Sequence, residues 1–162
     1  MTGQVYDNHL RGHRVAMCTP GEIERTVKSV ISIFGINKLI LKNMDLFIED
    51  MWNKYSINIE IVSNDDWLDV ANALCDPSRV TIAMPEKLYE RIVKKRRSKD
   101  DWKALHIFFH ELGHLLLGHK PVLHHSEVLA TKHEDSEWQA DYFADIVLQA
   151  LGQQQYRQLS LF

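Results

Sequence analysis

The chain of 162 residues contains only two cysteines, Cys18 and Cys75. Two scattered cysteines are too few for a cysteine metal cage, and we expect both to be reduced thiols. The sequence also lacks any run that approaches the roughly 20 apolar residues of a membrane-spanning helix, and its beginning lacks the continuous apolar core of a signal peptide. We therefore expect a cytoplasmic protein without a membrane partner.

Positive and negative charges nearly balance, with 19 Lys and Arg against 22 Asp and Glu and a formal net charge of −3. This balance offers no bulk attraction to nucleic acid, so we expect no direct nucleic-acid partner. A content of 45% hydrophobic and 25% charged residues is typical of globular proteins. We expect a single domain over 1–162, with an irregular segment at 1–18 and a tail at 152–162.

Hydrophobic periodicity predicts a mostly helical α+β fold with a small sheet. Thr19 can cap a first helix and Gly35 can end it. A second helix is expected to bury the stripe Met44, Phe47, Ile48, Met51, Trp52 and Tyr55. Alternation over 57–61 and 78–84 predicts two strands. We expect strand 78–84 to be an edge strand near the functional site, able to bind a substrate backbone, and an ordinary edge strand without a ligand explains the pattern equally well.

The segment His110-Glu111-Leu112-Gly113-His114 predicts a metal site. On an α-helix, residues four apart share a face and lie about 6 Å apart, so both histidines can bind one ion while Glu111 stays beside it. The surrounding apolar residues recur at helical spacing and predict a helix that packs on a core; they are Trp102, Leu105, Phe108, Phe109, Leu112, Leu115 and Leu116.

Both ends of this helix are marked in the sequence. Ser98 or Asp100 can begin the helix, and Asp101 can complete a capping arrangement. Gly118 followed by Pro121 can end it.

A catalytic zinc site normally has three protein ligands and one open position, so another ligand is needed. His106 lies two turns from His114, about 12 Å along the helix axis, which is too far for both to bind one ion. Glu137 is the better candidate, and Asp141, one turn later, can accept a hydrogen bond from a ligating imidazole. The alternative is that both acids are solvated near a helix start, where negative charge is favoured.

The helix that carries Glu137 also has a start signal. Ser136 and Gln139 are spaced as in a capping box, so we expect the helix to follow Ser136 as its N-cap.

The strings HELGHLLLGH at 110–119 and EWQADYFA at 137–144 resemble the two signatures of the ImmA/IrrE family of metallopeptidases. The resemblance implies a single zincin-like domain related to gluzincin-type zinc peptidases. It further implies that Zn²⁺ is bound by His110, His114 and Glu137 and that Glu111 is the catalytic base. Its implied substrate is a helix-turn-helix transcriptional repressor of a phage, mobile-element or stress-response circuit. No separate DNA-binding module is recognisable here, so we expect the repressor in trans.

The expected reaction is hydrolysis of a peptide bond. Bound Zn²⁺ would polarise the scissile carbonyl and lower the pKa of water toward about 7, while Glu111 would take the proton and pass it to the leaving amine. The alternative is a non-proteolytic regulatory module that binds such a repressor. A purely structural zinc site is less favoured, because such sites close all four positions, usually with cysteine.

Two further groups of side chains remain open to interpretation. The basic run over 91–99 predicts a solvated corner between two helices, or alternatively a surface for an acidic partner or a DNA-bound repressor. Four histidines of the connector between the two motifs are either surface residues or groups that reach over the metal and polarise the carbonyl; they are His119, His124, His125 and His133.

Overall fold

The computed structural model of the chain describes residues 10–120 and 130–153, and these form an α+β fold. In chain order the helices and strands are α1 (Pro20–Phe34), α2 (Met44–Tyr55), β1 (Asn58–Val62), β2 (Leu74–Asp76), β3 (Thr81–Pro85), α3 (Glu86–Ile92), α4 (Lys99–Leu116) and α5 (Ser136–Ala150). Short 3₁₀ turns occupy Lys38–Lys42, Pro77–Arg79 and Lys132–Glu134. No helix among the described residues combines the length and the apolar character needed to cross a bilayer.

The sheet has the order β1-β3-β2. β1 runs parallel to β3 with Ile59 opposite Ile82, and β2 runs antiparallel to β3 with Cys75 opposite Ile82. The prediction of an edge strand over 78–84 is therefore wrong, because β3 is the central strand. The three-residue β2 is too short to show an alternating pattern, so the sequence did not reveal the strand that covers this side of β3.

The core lies between the sheet and the helices. Its largest fully buried side chains include Phe108 and Phe109 of α4, Phe143 of α5 and Met84 of β3. Most of the stripe predicted for α2 is buried or packed against this core, but Trp52 is 60% exposed and does not belong to it. Trp52 directly follows the buried residue Met51, and adjacent helical positions lie about 100° apart around the axis, which turns its ring away from the core.

The predicted starts of α1 and α4 are confirmed. Thr19 forms a capping box with Glu22, and α1 ends at Gly35, which has a φ of 63°. In α4, the Ser98 hydroxyl accepts from the backbone N–H of Asp101, and the Asp101 carboxylate accepts from the backbone N–H of Ser98 at 3.0 Å. These caps satisfy backbone donors that the first turn of a helix leaves without a partner.

The basic run lies at the corner between α3 and α4. Arg91 and Lys94 pair with the buried Asp101 at 3.2 and 3.6 Å. Beyond the other end of α4, Gly118 has a φ of 64° as expected for a helix stop, while Pro121 lies outside the described residues.

Close packing of α4 on α5 depends on Gly113. A Cβ atom at this position would lie 3.0 Å from Cδ1 of Phe143 and 3.1 Å from its Cγ. Glycine normally costs a helix interior about 1 kcal/mol relative to alanine. Here it lets the fully buried Phe143 ring approach the backbone of α4, which brings the first turn of α5 near the paired histidines.

Candidate metal centre

Three side chains from two helices converge on one point. His110 and His114 lie one turn apart on α4, and Glu137 lies in the first turn of α5. The Nε2 atoms of the two histidines are 3.1 Å apart. Glu137 contacts Nε2 of His110 at 2.8 Å through Oε2, and Nε2 of His114 at 3.2 Å through Oε1. This group can hold a metal ion.

The spacing of these atoms fits a small divalent cation. A tetrahedral ion bound at about 2.0–2.1 Å sets neighbouring ligand atoms roughly 3.3 Å apart. The two Nε2 atoms, 3.1 Å apart, are close to this spacing, and each lies 2.8 or 3.2 Å from a different oxygen of Glu137. Two imidazoles and one carboxylate also form a donor set that transition-metal ions accept.

Asp141 orients the imidazole of His110. Its Oδ1 lies 2.7 Å from Nδ1 of His110, which is the contact expected from its position one turn after Glu137. Arg11 holds the other oxygen of Asp141 at 2.9 Å. An ionised carboxylate can only accept, so Nδ1 of His110 donates and Nε2 is left to face the ligand group.

Electrostatics of the metal-free site reflect these short contacts. Burial works to lower the pKa of His110, but hydrogen bonds to Asp141 and Glu137 outweigh it and raise the pKa to about 10. Hydrogen bonds from His110 and His114 hold the pKa of Glu137 well below its usual range. The site therefore attracts positive charge, which a metal cation can supply in place of the proton.

Glu111 lies beside the ligands and lines the same cleft. Burial raises its pKa to about 7, and the neighbouring His110 and His114 offset this only in part. A carboxylate with a pKa near neutrality is suited to taking up and releasing a proton at physiological pH. The nearby Cys75 is a free thiol whose pKa is raised to about 12 by burial and by Glu111, so it is not an activated nucleophile.

The ligand group opens into a cleft of about 760 Å³. The cleft is lined by residues of α4, including Ile107, and by Leu74 and Cys75 of β2. Among the described residues no further strand pairs with the outer side of β2. The edge strand next to the site is thus β2, and not the strand at 78–84 that was expected there.

The start of α5 differs from the sequence prediction. Its N-cap is Asp135, which accepts from the backbone N–H of Glu137 at 3.0 Å. Ser136 is the first residue of the helix, and its hydroxyl accepts from the backbone N–H of His13. The predicted capping box of Ser136 with Gln139 is therefore wrong, because tertiary contacts engage both side chains.

Residues before α1 hold the first turn of α5 in place. The backbone N–H groups of Arg11 and Gly12 each donate to the Asp135 carboxylate at 3.0 Å. Gly12 also approaches Glu137 closely, since a Cβ at this position would lie 2.6 Å from Cγ of Glu137. Residues 10–18 form no helix and no strand beyond an isolated bridge of Arg14 with Asp135, and yet they form part of the site.

The histidines outside the ligand group have different environments. His106 contacts Asp145 at 3.0 Å, in agreement with the prediction that it is not a ligand. His119 is only 8% exposed and contacts Nδ1 of His114 at 2.8 Å, so it is not a surface residue. His124 and His125 lie outside the described residues.

Comparison with protein-family models, curated proteins and solved structures finds no match to this chain. The functional assignment therefore depends on the geometry of the site and on the two sequence motifs.

Proposed function

We propose that the protein is a zinc-dependent endopeptidase with a zincin-like domain. The observation that carries this proposal is the convergence of His110, His114 and Glu137, with Glu111 beside them in an open cleft. Three protein ligands and one position left for solvent are the arrangement of a catalytic zinc site. A structural zinc site would instead use a fourth protein ligand and would have no need of a cleft.

When bound, Zn²⁺ would supply Lewis acidity to the scissile carbonyl and to the attacking water. Glu111 accepts the proton of that water and delivers it to the nitrogen of the leaving amine. In the metal-free site the pKa of Glu111 is about 7. At neutral pH a group with this pKa can both take up a proton and release it, so it suits both steps. Asp141 keeps His110 oriented through the reaction.

A peptide substrate has a natural docking position along β2. Residues of this strand line the cleft, and β2 is an edge strand of the described sheet, so an extended peptide can pair with it as an additional strand. Backbone pairing holds the peptide irrespective of its sequence, so that the wall around Ile107 and Leu74 is left to select apolar side chains. This geometry supports cleavage within an extended segment of a protein.

The proposed substrate is a helix-turn-helix repressor supplied in trans. The support for this step is the resemblance of segments 110–119 and 137–144 to the ImmA/IrrE signatures. Cleavage would remove the repressor and release transcription of its target genes.

The test is the substitution Glu111→Gln, which retains the size and polarity of the side chain but removes its basicity. We expect the variant to bind one equivalent of zinc like the wild type and to lose cleavage by about 100-fold or more. The matched control is Glu90→Gln, an exposed glutamate on α3 that should cleave normally. Candidate repressors, beginning with any encoded beside this gene, are coexpressed with each variant and examined for fragments.

Two results would contradict the proposal. Undiminished cleavage by folded, zinc-loaded Glu111→Gln protein would remove Glu111 from the mechanism. Equal loss of repression with wild type and variant, without any fragment, would favour the non-proteolytic binding module.

A further inference from the structure

A chain of hydrogen bonds leads from the backbone to the second histidine ligand, and it begins at Gln139. Gln139 is only 1% exposed and is the fourth residue of α5. Its Nε2 donates to the backbone carbonyls of Ala16 at 2.9 Å and His133 at 2.6 Å. Only an NH₂ group can meet two carbonyl acceptors, so the orientation of the amide is determined.

The fixed amide in turn determines the protonation of His119. With its NH₂ turned toward the two carbonyls, Gln139 presents Oε1 to Nε2 of His119 at 2.7 Å. A carbonyl oxygen can only accept, so Nε2 of His119 carries the hydrogen. In a neutral imidazole the other ring nitrogen, Nδ1, is then an acceptor.

The acceptor of His119 faces the metal ligand. Nδ1 of His119 lies 2.8 Å from Nδ1 of His114, so His114 donates from Nδ1 and keeps the lone pair of Nε2 free. That Nε2 points into the ligand group, 3.1 Å from Nε2 of His110. The opposite direction of donation would put a hydrogen on Nε2 of His114, where it would block the cation.

We propose that His119 and Gln139 are positioning residues that hold His114 in the tautomer able to bind a metal through Nε2. The inference rests on the metal centre of the proposed function and adds an orienting group for its second histidine. Asp141 performs the corresponding role for His110 with a charged carboxylate.

There is also an electrostatic reason for the hydrogen bond of His114 to go to a neutral acceptor, His119. Glu111, Glu137 and Asp141 already place three carboxylates around the site. A fourth carboxylate in place of His119 would repel them and favour protonation of Glu111. A neutral imidazole orients the ligand without adding negative charge.

The first measurement is zinc affinity by competition with a chromophoric chelator. We expect His119→Phe to weaken zinc binding by about 10-fold to 100-fold, since it removes the acceptor for His114. In His119→Asn the side-chain oxygen is as many bonds from the backbone as Nδ1 of histidine, so most of the affinity should return. The matched control is His133→Phe, which preserves the carbonyl used by Gln139 and the ring contact with Trp138 and should bind zinc normally.

The second measurement reads the tautomer of His119 directly, by long-range ¹H–¹⁵N NMR of the zinc-loaded wild-type protein. We expect a protonated Nε2 and an unprotonated Nδ1. A hydrogen on Nδ1 of His119 would overturn the inference, and this readout does not depend on whether the Phe variant folds.

The outcomes separate this inference from the proposed function. Wild-type affinity in His119→Phe, or equal weakening in the Phe and Asn variants, would refute the positioning role and leave the metal centre intact. Failure of the wild type to bind zinc would refute both.

Discussion

Loss of the metal should make the stability of the protein fall as the pH rises above neutrality. In the metal-free site the pKa of His110 is about 10, compared with 6.5 for an ordinary histidine, because its hydrogen bonds to Asp141 and Glu137 outweigh the opposing effect of burial. The folded protein therefore holds this proton more tightly than the unfolded chain. The resulting stabilisation is complete below a pH of about 6.5 and is lost as the pH rises toward 10.

The size of the effect follows from the linkage between proton binding and folding. One group that is protonated only in the folded state changes the free energy of unfolding by about 1.4 kcal/mol per pH unit. The His110 side chain is only 14% exposed, so solvent screens the interaction little. The pKa values of Glu111 and His119 are about 7 and 4, so both groups are already mostly deprotonated between about pH 7.5 and 8.5 and add little to the slope. We expect a fall of at most about 1.4 kcal/mol across this interval.

The assay is urea unfolding of metal-free and zinc-loaded protein at several pH values in this interval. In the proposed centre zinc would occupy Nε2 of His110 in place of its proton, so the zinc-loaded protein should show little of this slope. Asp141→Asn should flatten the slope of the metal-free protein, because it removes one of the two carboxylates that hold the proton. Metal-free wild-type stability that is constant or rises between about pH 7.5 and 8.5 would refute the reasoning.

Two further predictions concern the segment that holds the first turn of α5. Asp135→Ala should lower the free energy of unfolding by about 3 kcal/mol, because the buried carboxylate accepts backbone hydrogen bonds from Arg11, Gly12 and Glu137. A loss below about 1 kcal/mol in chemical denaturation would show that these contacts are weak. Gly12→Ala should weaken zinc binding about tenfold in chelator competition, since the added Cβ would displace Glu137. The control Gly21→Ala has open space around the new Cβ and should bind zinc like the wild type. Equal zinc affinities in the two variants would contradict this account.

Much of the local structure follows from the sequence. The caps at Thr19 and Ser98 and the stop at Gly35 could be predicted because each depends on groups only a few residues apart. The pairing of His110 with His114 could be predicted for the same reason, since the pitch of an α-helix places positions four apart on one face. Glu137 could be expected as a ligand only because the first motif required one more and a second motif supplied it.

Features that depend on distant parts of the chain could not be predicted in this way. β2 has three residues, which is too few for a period to be visible, and its pairing with β3 made the strand expected at the edge the central one. Asp135 became the cap of α5 in place of Ser136 because the segment before α1 brings its own backbone donors to both side chains.

The sequence by itself therefore determined where α1, α2 and α4 lie, the caps of α1 and α4 and the types of side chain that could hold a cation, since these depend on contacts within one or two helical turns. Only the tertiary structure decided that β2 borders the cleft and that His119 and Gln139 lie behind His114. The two residues are 20 positions apart, and their side chains meet because α4 and α5 pack together. Hydrogen-bond direction in the site is set by that packing, since each donor has to find an acceptor that a different part of the chain supplies.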